Sequence, residues 1–328
     1  VPVPADPARP SGVEVIVPVF DAAAHLGACV RSLARLEPRP DRVIVVDDHS
    51  HDHSGPLAMA ALTAAGLPAT LVTLPARQGP GAARNRGLAE ARAPLVWFVD
   101  ADDTVAPDAL RILRAAIAGH DFAVCRTTLV DAEGTVTGID EPPPPRAVLT
   151  GPEYATLLMR GQARAYAPTK MFRRDFLPDR PWDEVRRYED LASAIALACA
   201  ADTVALVAAA PYRYHRRPGS ASATFDPHTF ELSTLPDRAL APLVAAGAAP
   251  TRSESAAFVL RESVFPLAHL AMRADPGEDT ARAIATARRR IRPADLIGLA
   301  ASGRIRLALA ALVLLAFPRC YAQILRTR

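Results

Sequence analysis

The chain has 328 residues, half of them hydrophobic, and a formal charge of only +3. That length and apolar content allow a proper core and exclude wholesale disorder. The slight charge makes no case for nucleic acid, and Lys170 is the sole lysine, so the positive charge is almost all arginine in an Ala- and Pro-rich chain. Cys29, Cys125, Cys199 and Cys320 lie far apart without a C-x-x-C pair, which reads as free thiols in a reducing compartment. Residues 1–11 are Pro-rich and lack the apolar stretch of a signal peptide, so a disordered lead-in is expected.

From there strands and helices alternate. A β-branched run at 13–19 predicts a first strand, and Leu26, Val30 and Leu33 follow at helical spacing. The pattern continues with a strand at 43–46, a helix at 57–65, a strand at 69–74, a helix at 82–92 and an apolar strand at 95–99. Such a series argues for a parallel sheet with helices on both faces. A helix at 108–118 and a strand at 122–125 come next, after which the pattern loosens around the stiff Pro142–Pro145 run. Later elements are a helix near 153–159, a strand near 171–172, a helix at 190–201 and short strands at 204–207 and 212–214. From about residue 225 only helical patterns remain. The apolar run 307–317, flanked by Arg304, Arg306 and Arg319, is too short to span a bilayer and reads as a buried or an interfacial helix. The expected organisation is therefore a lead-in at 1–11, an α/β domain at 12–224 and a helical region at 225–328.

Two strands run into acidic clusters, Asp47-Asp48 and Asp100-Ala101-Asp102-Asp103. Parallel strands bring both to the carboxyl edge of the sheet, where open α/β sheets bind ligands. Carboxylates so close repel one another unless a cation lies between them, and Asp oxygens suit Mg²⁺ or Mn²⁺. No G-x-G-x-x-G follows the first strand, where Pro18-Val19-Phe20 stands instead, and a dinucleotide fold loses its main support.

Together these stretches resemble the family 2 glycosyltransferases of the GT-A fold over residues 13–222. The first strand ending in Pro18-Val19-Phe20-Asp21 is similar to the family's opening strand, with Phe20-Asp21 in place of Tyr-Asn. Asp47-Asp48-His49-Ser50 resembles its Asp-Asp-Gly-Ser segment, with His49 in place of Gly. Residues 79–87 look like its Gly-x-x-x-Ala-Arg-Asn-x-Gly stretch. Asp100-Ala101-Asp102 matches the D-x-D motif, and Glu189-Asp190 matches the acidic pair that carries the catalytic base, with Tyr188 where Gly is common.

The resemblance implies a GT-A nucleotide-diphospho-sugar transferase fold, α/β with a mostly parallel sheet, followed by a helical region. It implies donor-nucleotide contacts at Pro18, Val19, Phe20, Asp21, Asp48, Arg84, Asp100 and Ala101. Asp102 with Asp100 would hold Mn²⁺ or Mg²⁺, and Asp190, paired with Glu189, would deprotonate the acceptor. His215 and Arg217 would meet the diphosphate, whereas the role of Lys170 stays open. The expected partners are a UDP-sugar and a glycan or small-molecule hydroxyl. The lack of a Gln-x-x-Arg-Trp segment points to single transfer to a cell-envelope glycan, a teichoic-acid-like polymer or a secondary metabolite. A cytoplasmic enzyme is expected, with residues 304–328 open to peripheral contact at the inner membrane face or to a homodimer interface. A nucleotidyltransferase would need a lysine-bearing Gly-rich loop after the first strand, which is absent. A non-catalytic glycan-binding or scaffold module should have lost the acidic motifs, which are present.

Overall fold

The computed structural model describes residues 12–216 and 224–326; the expected lead-in and Arg217 lie outside the described residues. The chain divides into two compact units, Val1–Arg217 and Pro218–Arg328.

The first unit opens with β1 (Val13–Val19), α1 (Ala23–Ala34), β2 (Arg42–Asp47), α2 (Ser54–Ala64), β3 (Ala69–Thr73), α3 (Pro80–Glu90) and β4 (Leu95–Phe98). It continues through β5 (Thr104–Val105), α4 (Ala109–Ala116), β6 (Phe122–Val124), β7 (Thr127–Val130), β8 (Val136–Ile139), β9 (Val148–Thr150), α5 (Gly151–Arg160), β10 (Lys170–Arg173), α6 (Glu189–Ala200), β11 (Thr203–Leu206) and β12 (Tyr212–His215). An eight-stranded sheet runs in the order β3-β2-β1-β4-β10-β6-β11-β9. Its β3-β2-β1-β4 half is parallel throughout. β10 then runs antiparallel to both β4 and β6, while β11 is again parallel to β6. The sheet is therefore mixed but mostly parallel, as expected: four of its seven strand pairs are parallel, and the antiparallel ones are those of β10 and β9. A second sheet, β5-β12-β7-β8, was not anticipated.

Alternation along β1 explains how the layers assemble. Val13, Val15, Val17 and Val19 point to one face and join Leu26, Val30 and Leu33 of α1, Leu62 of α2 and Leu110 and Leu113 of α4 in one core. Ile16 faces the other way, onto α3. There a Cβ on Gly87 would collide with Ile16 Cγ2, so the absence of a side chain lets the helix lie flat on the sheet. The β1, β2 and β4 strands are neighbours and parallel, so their carboxyl ends gather Phe20, Asp48 and Asp100 along one edge.

The second unit is helical: α7 (Leu235–Ala245), α8 (Arg252–Val259), α9 (Phe265–Arg273), α10 (Glu278–Arg289), α11 (Pro293–Ala301), α12 (Ile305–Ala316) and α13 (Pro318–Arg326). Its core holds Phe258, Val264, Leu267 and Ala268, all without solvent exposure. α12 buries Ala308, Ala311 and Leu314 but leaves Ile305, Leu309 and Leu312 exposed, so it has a packed face and an open apolar one. Among the described residues no helix is long and apolar enough to cross a membrane.

Candidate active site

The D-x-D stretch follows β4 directly. Asp102 is exposed, Asp100 keeps 31% of its side-chain surface, and Asp103 is buried. Asp103 accepts a hydrogen bond from the Tyr212 hydroxyl and another, of 2.9 Å, from the His215 backbone N–H. The third carboxylate of the cluster thus ties β12 of the second sheet to the end of β4. Burial raises the pKa of Asp103, and the charges of Asp102 and Asp100 push it further. The His215 ring lies 2.9 Å from Thr104 Oγ1 through Nε2, so this residue stands beside the D-x-D turn.

The centre of the site is Arg84, on α3 and 2% exposed. Its Nη1 donates to Glu189 Oε1 at 2.7 Å and to Asp190 Oδ1 at 2.9 Å, while Nη2 donates to Asp100 Oδ1 at 3.0 Å. One fork therefore joins the end of β4 to the first turn of α6, a geometry only a guanidinium provides. Asp100 is pushed up to about 6 by burial and the charges of Asp102 and Asp190, against the pull of Arg84. Glu189 is likewise raised, by burial first and then by Asp190, again against Arg84. The acidic pair separates in role. The Glu189 side chain is 9% exposed and lies behind Arg84, whereas Asp190 keeps 26% of its side-chain surface. Between the two, Asp190 is the carboxylate open to an incoming molecule.

The loops that frame this hub depend on close backbone approach. A Cβ on Gly81 would collide with the Asp183 carbonyl oxygen, so the N-terminal turn of α3 can sit against the 182–186 segment only with glycine there. Asn85 locks the same segment: its amide donates to the Trp182 carbonyl at 2.8 Å, and its Oδ1 accepts from the Trp182 N–H at 3.0 Å. The Arg84 guanidinium lies 5.4 Å from the centroid of the Trp182 ring. Sequence reasoning quoted Asn85 only as part of a stretch and missed Trp182, which sits in an irregular region with no periodic signal.

Asp48 uses both carboxylate oxygens on loop amides, accepting from Gln78 N at 2.6 Å and Gly79 N at 2.8 Å. It holds the loop that starts α3. Asp21 accepts from the His51 N–H at 2.7 Å, and Phe20 carries the Arg77 guanidinium at 3.8 Å from its ring centroid. Pro18 is half-buried at the end of the same strand. Val19 is 1% exposed and Ala101 5% exposed, and both side chains join the core: alternation along β1 turns Val19 inward, and Ala101 tucks in from the turn that follows β4. Only their backbones reach the edge.

Lys170 gains a structural account. Its ammonium, 1% exposed, donates to the carbonyls of Arg164 at 3.1 Å and Tyr166 at 2.8 Å and to Thr169 Oγ1 at 3.2 Å. Burial lowers it to about 8, against the raising effects of Asp190 and Glu141. The turn it pins carries Ala167, whose N–H points to Asp190 Oδ2 at 3.5 Å.

Among the described residues no three His, Cys, Asp or Glu side chains form a ready metal cage. Asp100 and Asp102 nonetheless offer hard oxygens at an open edge, and the Arg84 guanidinium is bonded to Asp100, Glu189 and Asp190 beside them. That donor set fits a divalent ion whose coordination is completed from outside the protein rather than a closed site.

Residues 14–179 match the family described as Glycosyl transferase family 2. The succinoglycan biosynthesis protein ExoO of Rhizobium meliloti is 34% identical over 220 residues, covering 64% of this chain and 62% of the relative. ExoU of the same organism is 34% identical over 162 residues, covering 48% of this chain and 46% of the relative. The matches thus span between about half and three-fifths of these relatives. Staphylococcus aureus TarS, solved with UDP-GlcNAc, has a TM-score of 0.64 at 18% identity over 92% of this chain and 90% of that one. The mannosyltransferase PcManGT from Pyrobaculum calidifontis, solved with GDP-Man and Mn²⁺, has a TM-score of 0.55 at 18% identity over 96% of this chain and 89% of that one. At such identities these two structures speak for the fold, which is of the GT-A kind.

Proposed function

This chain belongs to glycosyl transferase family 2, and from that premise we propose that it moves a sugar from a nucleoside-diphosphate donor to an acceptor hydroxyl with inversion at the anomeric carbon. The observation that carries the reading is the Arg84 fork, which holds Asp100 of the D-x-D stretch and Asp190 of the acidic pair in one hydrogen-bonded unit. A donor-side group and an acceptor-side group are thereby fixed relative to each other, as a displacement between two bound molecules requires.

In this reading Phe20, Asp21, Pro18 and Asp48 frame the nucleotide base at the ends of β1 and β2, through Asp48's hold on the 78–79 loop. Asp100 meets the ribose and, with Asp102, would hold Mn²⁺ or Mg²⁺, which would supply positive charge against that developing on the leaving phosphate oxygens. His215 approaches the same phosphates from β12. Asp190 takes the proton of the acceptor hydroxyl, which is too weak a nucleophile near neutral pH without a base in reach. Glu189 acts through Arg84 as a positioning group, since burial keeps it from the acceptor. With Asp190 as the base on the face opposite the leaving group, the single displacement inverts the anomeric carbon.

UDP is the proposed nucleotide, in keeping with the TarS complex, although PcManGT was solved with a GDP-sugar. The relatives named for succinoglycan biosynthesis favour a cell-envelope or exported glycan as acceptor. The exposed Ile305, Leu309, Leu312 and Phe317, beside Arg304, Arg306 and Arg319, favour peripheral contact with an anionic bilayer. Co-sedimentation with phosphatidylglycerol vesicles, lost in a Leu309→Glu/Leu312→Glu variant, supports that contact; sedimentation equal in both chains removes it.

The transfer reading is tested by nucleotide release from a panel of UDP- and GDP-sugars. Wild type should release nucleotide from one of them, and Asp190→Asn should be about 10²–10⁴-fold slower with donor binding unchanged. Equal rates in the two chains would remove Asp190 as the base.

A further inference from the structure

A cavity of about 500 Å³ opens at the far half of the large sheet, between the ends of β6 and β11, α5 and the Pro142–Pro145 run. Nothing in the catalytic account uses it. β6 and β11 point the same way as β4, because β10 is antiparallel to both β4 and β6, so the cavity lies on the same edge of the sheet as the acidic site. Its volume falls in the range of small-molecule sites, and its walls are mostly apolar with a few polar groups.

Two of those polar groups point to a ligand. The Tyr154 hydroxyl is buried, in a residue 1% exposed, and has no hydrogen-bond partner among the described residues. A buried hydroxyl without a partner is disfavoured and calls for an explanation. Beside it is Glu141, whose carboxylate accepts from the Thr127 N–H at 2.8 Å and the Thr127 hydroxyl at 3.3 Å and retains lone pairs for further donors. The lining cations are already engaged: Arg126 donates to the carbonyls of Glu141 and Ala208, and Arg164 pairs with Asp140 at 3.0 Å. Acceptor oxygens, a hydroxyl and C–H-rich proline and leucine walls suit a neutral polyol ring, and the Glu141 carboxylate in the lining opposes an anion.

One wall of the cavity is joined through the chain to a contact with the base. Residues 161–164 line it, and the same stretch runs on to Ala167, whose N–H faces Asp190. Lys170 clamps this connection by bonding the carbonyls of Arg164 and Tyr166. Resting on the glycosyltransferase reading, we propose that this cavity binds a neutral sugar residue of the acceptor, with Tyr154 and Glu141 contacting its hydroxyls and the Lys170-pinned stretch leading the chain toward Asp190.

The test is saturation-transfer NMR with methyl α- and β-glycosides of the common hexoses, alongside glucose 1-phosphate, on wild type, Tyr154→Phe and Leu157→Trp. Leu157 is a half-buried lining residue, and its enlargement fills the cavity away from the catalytic carboxylates. Binding of a neutral glycoside to wild type, weakened about tenfold by Tyr154→Phe and abolished by Leu157→Trp, is the expected result, with circular dichroism and UDP affinity unchanged in both variants. Binding that Leu157→Trp leaves intact, preference for the sugar phosphate, or no glycoside bound would overturn the proposal. UDP affinity is read separately, so a chain that binds glycoside but no nucleotide overturns the donor reading and leaves this site standing.

Discussion

Arg84 and Asp190 are 106 positions apart in sequence, yet Arg84 Nη1 lies 2.9 Å from Asp190 Oδ1, and the same guanidinium reaches Asp100 and Glu189. A buried cation shared by three carboxylates is the hinge of this site, because removing it leaves those acids without a counter-charge.

Replacement of Arg84 by Met should therefore cost about 3–5 kcal/mol, the penalty of leaving buried charge uncompensated. Arg84→Lys keeps a point charge but cannot fork toward β4 and α6 at once. It should fold and lose donor binding. Urea unfolding of both variants, with nucleotide titration of the second, checks the pair; a Met variant as stable as wild type would contradict the hub.

The Lys170 amine gives a pH signature with a definite sign. Its folded pKa is lowered from 10.5 to about 8, so between those values the unfolded chain holds the proton and the folded chain does not. The unfolded state then binds more protons, and stability rises with pH across that window. The gain is about 3 kcal/mol. Wild-type stability minus that of Lys170→Met should grow by that amount from pH 7.5 to 10.5 in urea unfolding. A difference flat with pH would mean that the amine is not held in a desolvated place.

Gly87→Ala should destabilise the chain by about 1–3 kcal/mol, since the added methyl meets Ile16 on the sheet. Thermal unfolding reads this directly, and Ile16→Val in the same chain should recover part of the loss by making room.

The repeating strand–helix series through β4 was legible in the sequence because β1, β2 and β4 are apolar runs buried on both faces and α1 repeats apolar residues at helical spacing. The acidic motifs were legible too, as local runs at strand ends. Three things were not. β5, β7, β8 and β9 are short, and Val136 and Ile139 on β8 are exposed, so alternation carries no signal there. The fork of Arg84 joins residues from three elements, and no local pattern encodes it. The left-handed backbone at His49 (φ 65°) and Tyr188 (φ 61°) is the third. The departures from glycine at these two positions look like substitutions in sequence, but the backbone keeps the conformation that glycine adopts freely. Holding a tyrosine in that region is strained, and Tyr188→Gly should stabilise the first turn of α6, read as a rise in urea midpoint.

Calorimetry of UDP binding, with and without Mn²⁺, for wild type and Asp102→Ala tests the central claim most directly. Binding that needs the ion and disappears with the exposed carboxylate is the predicted result. UDP affinity unaffected by both the ion and the substitution, or no nucleoside diphosphate bound at all, would contradict a donor site on the D-x-D edge.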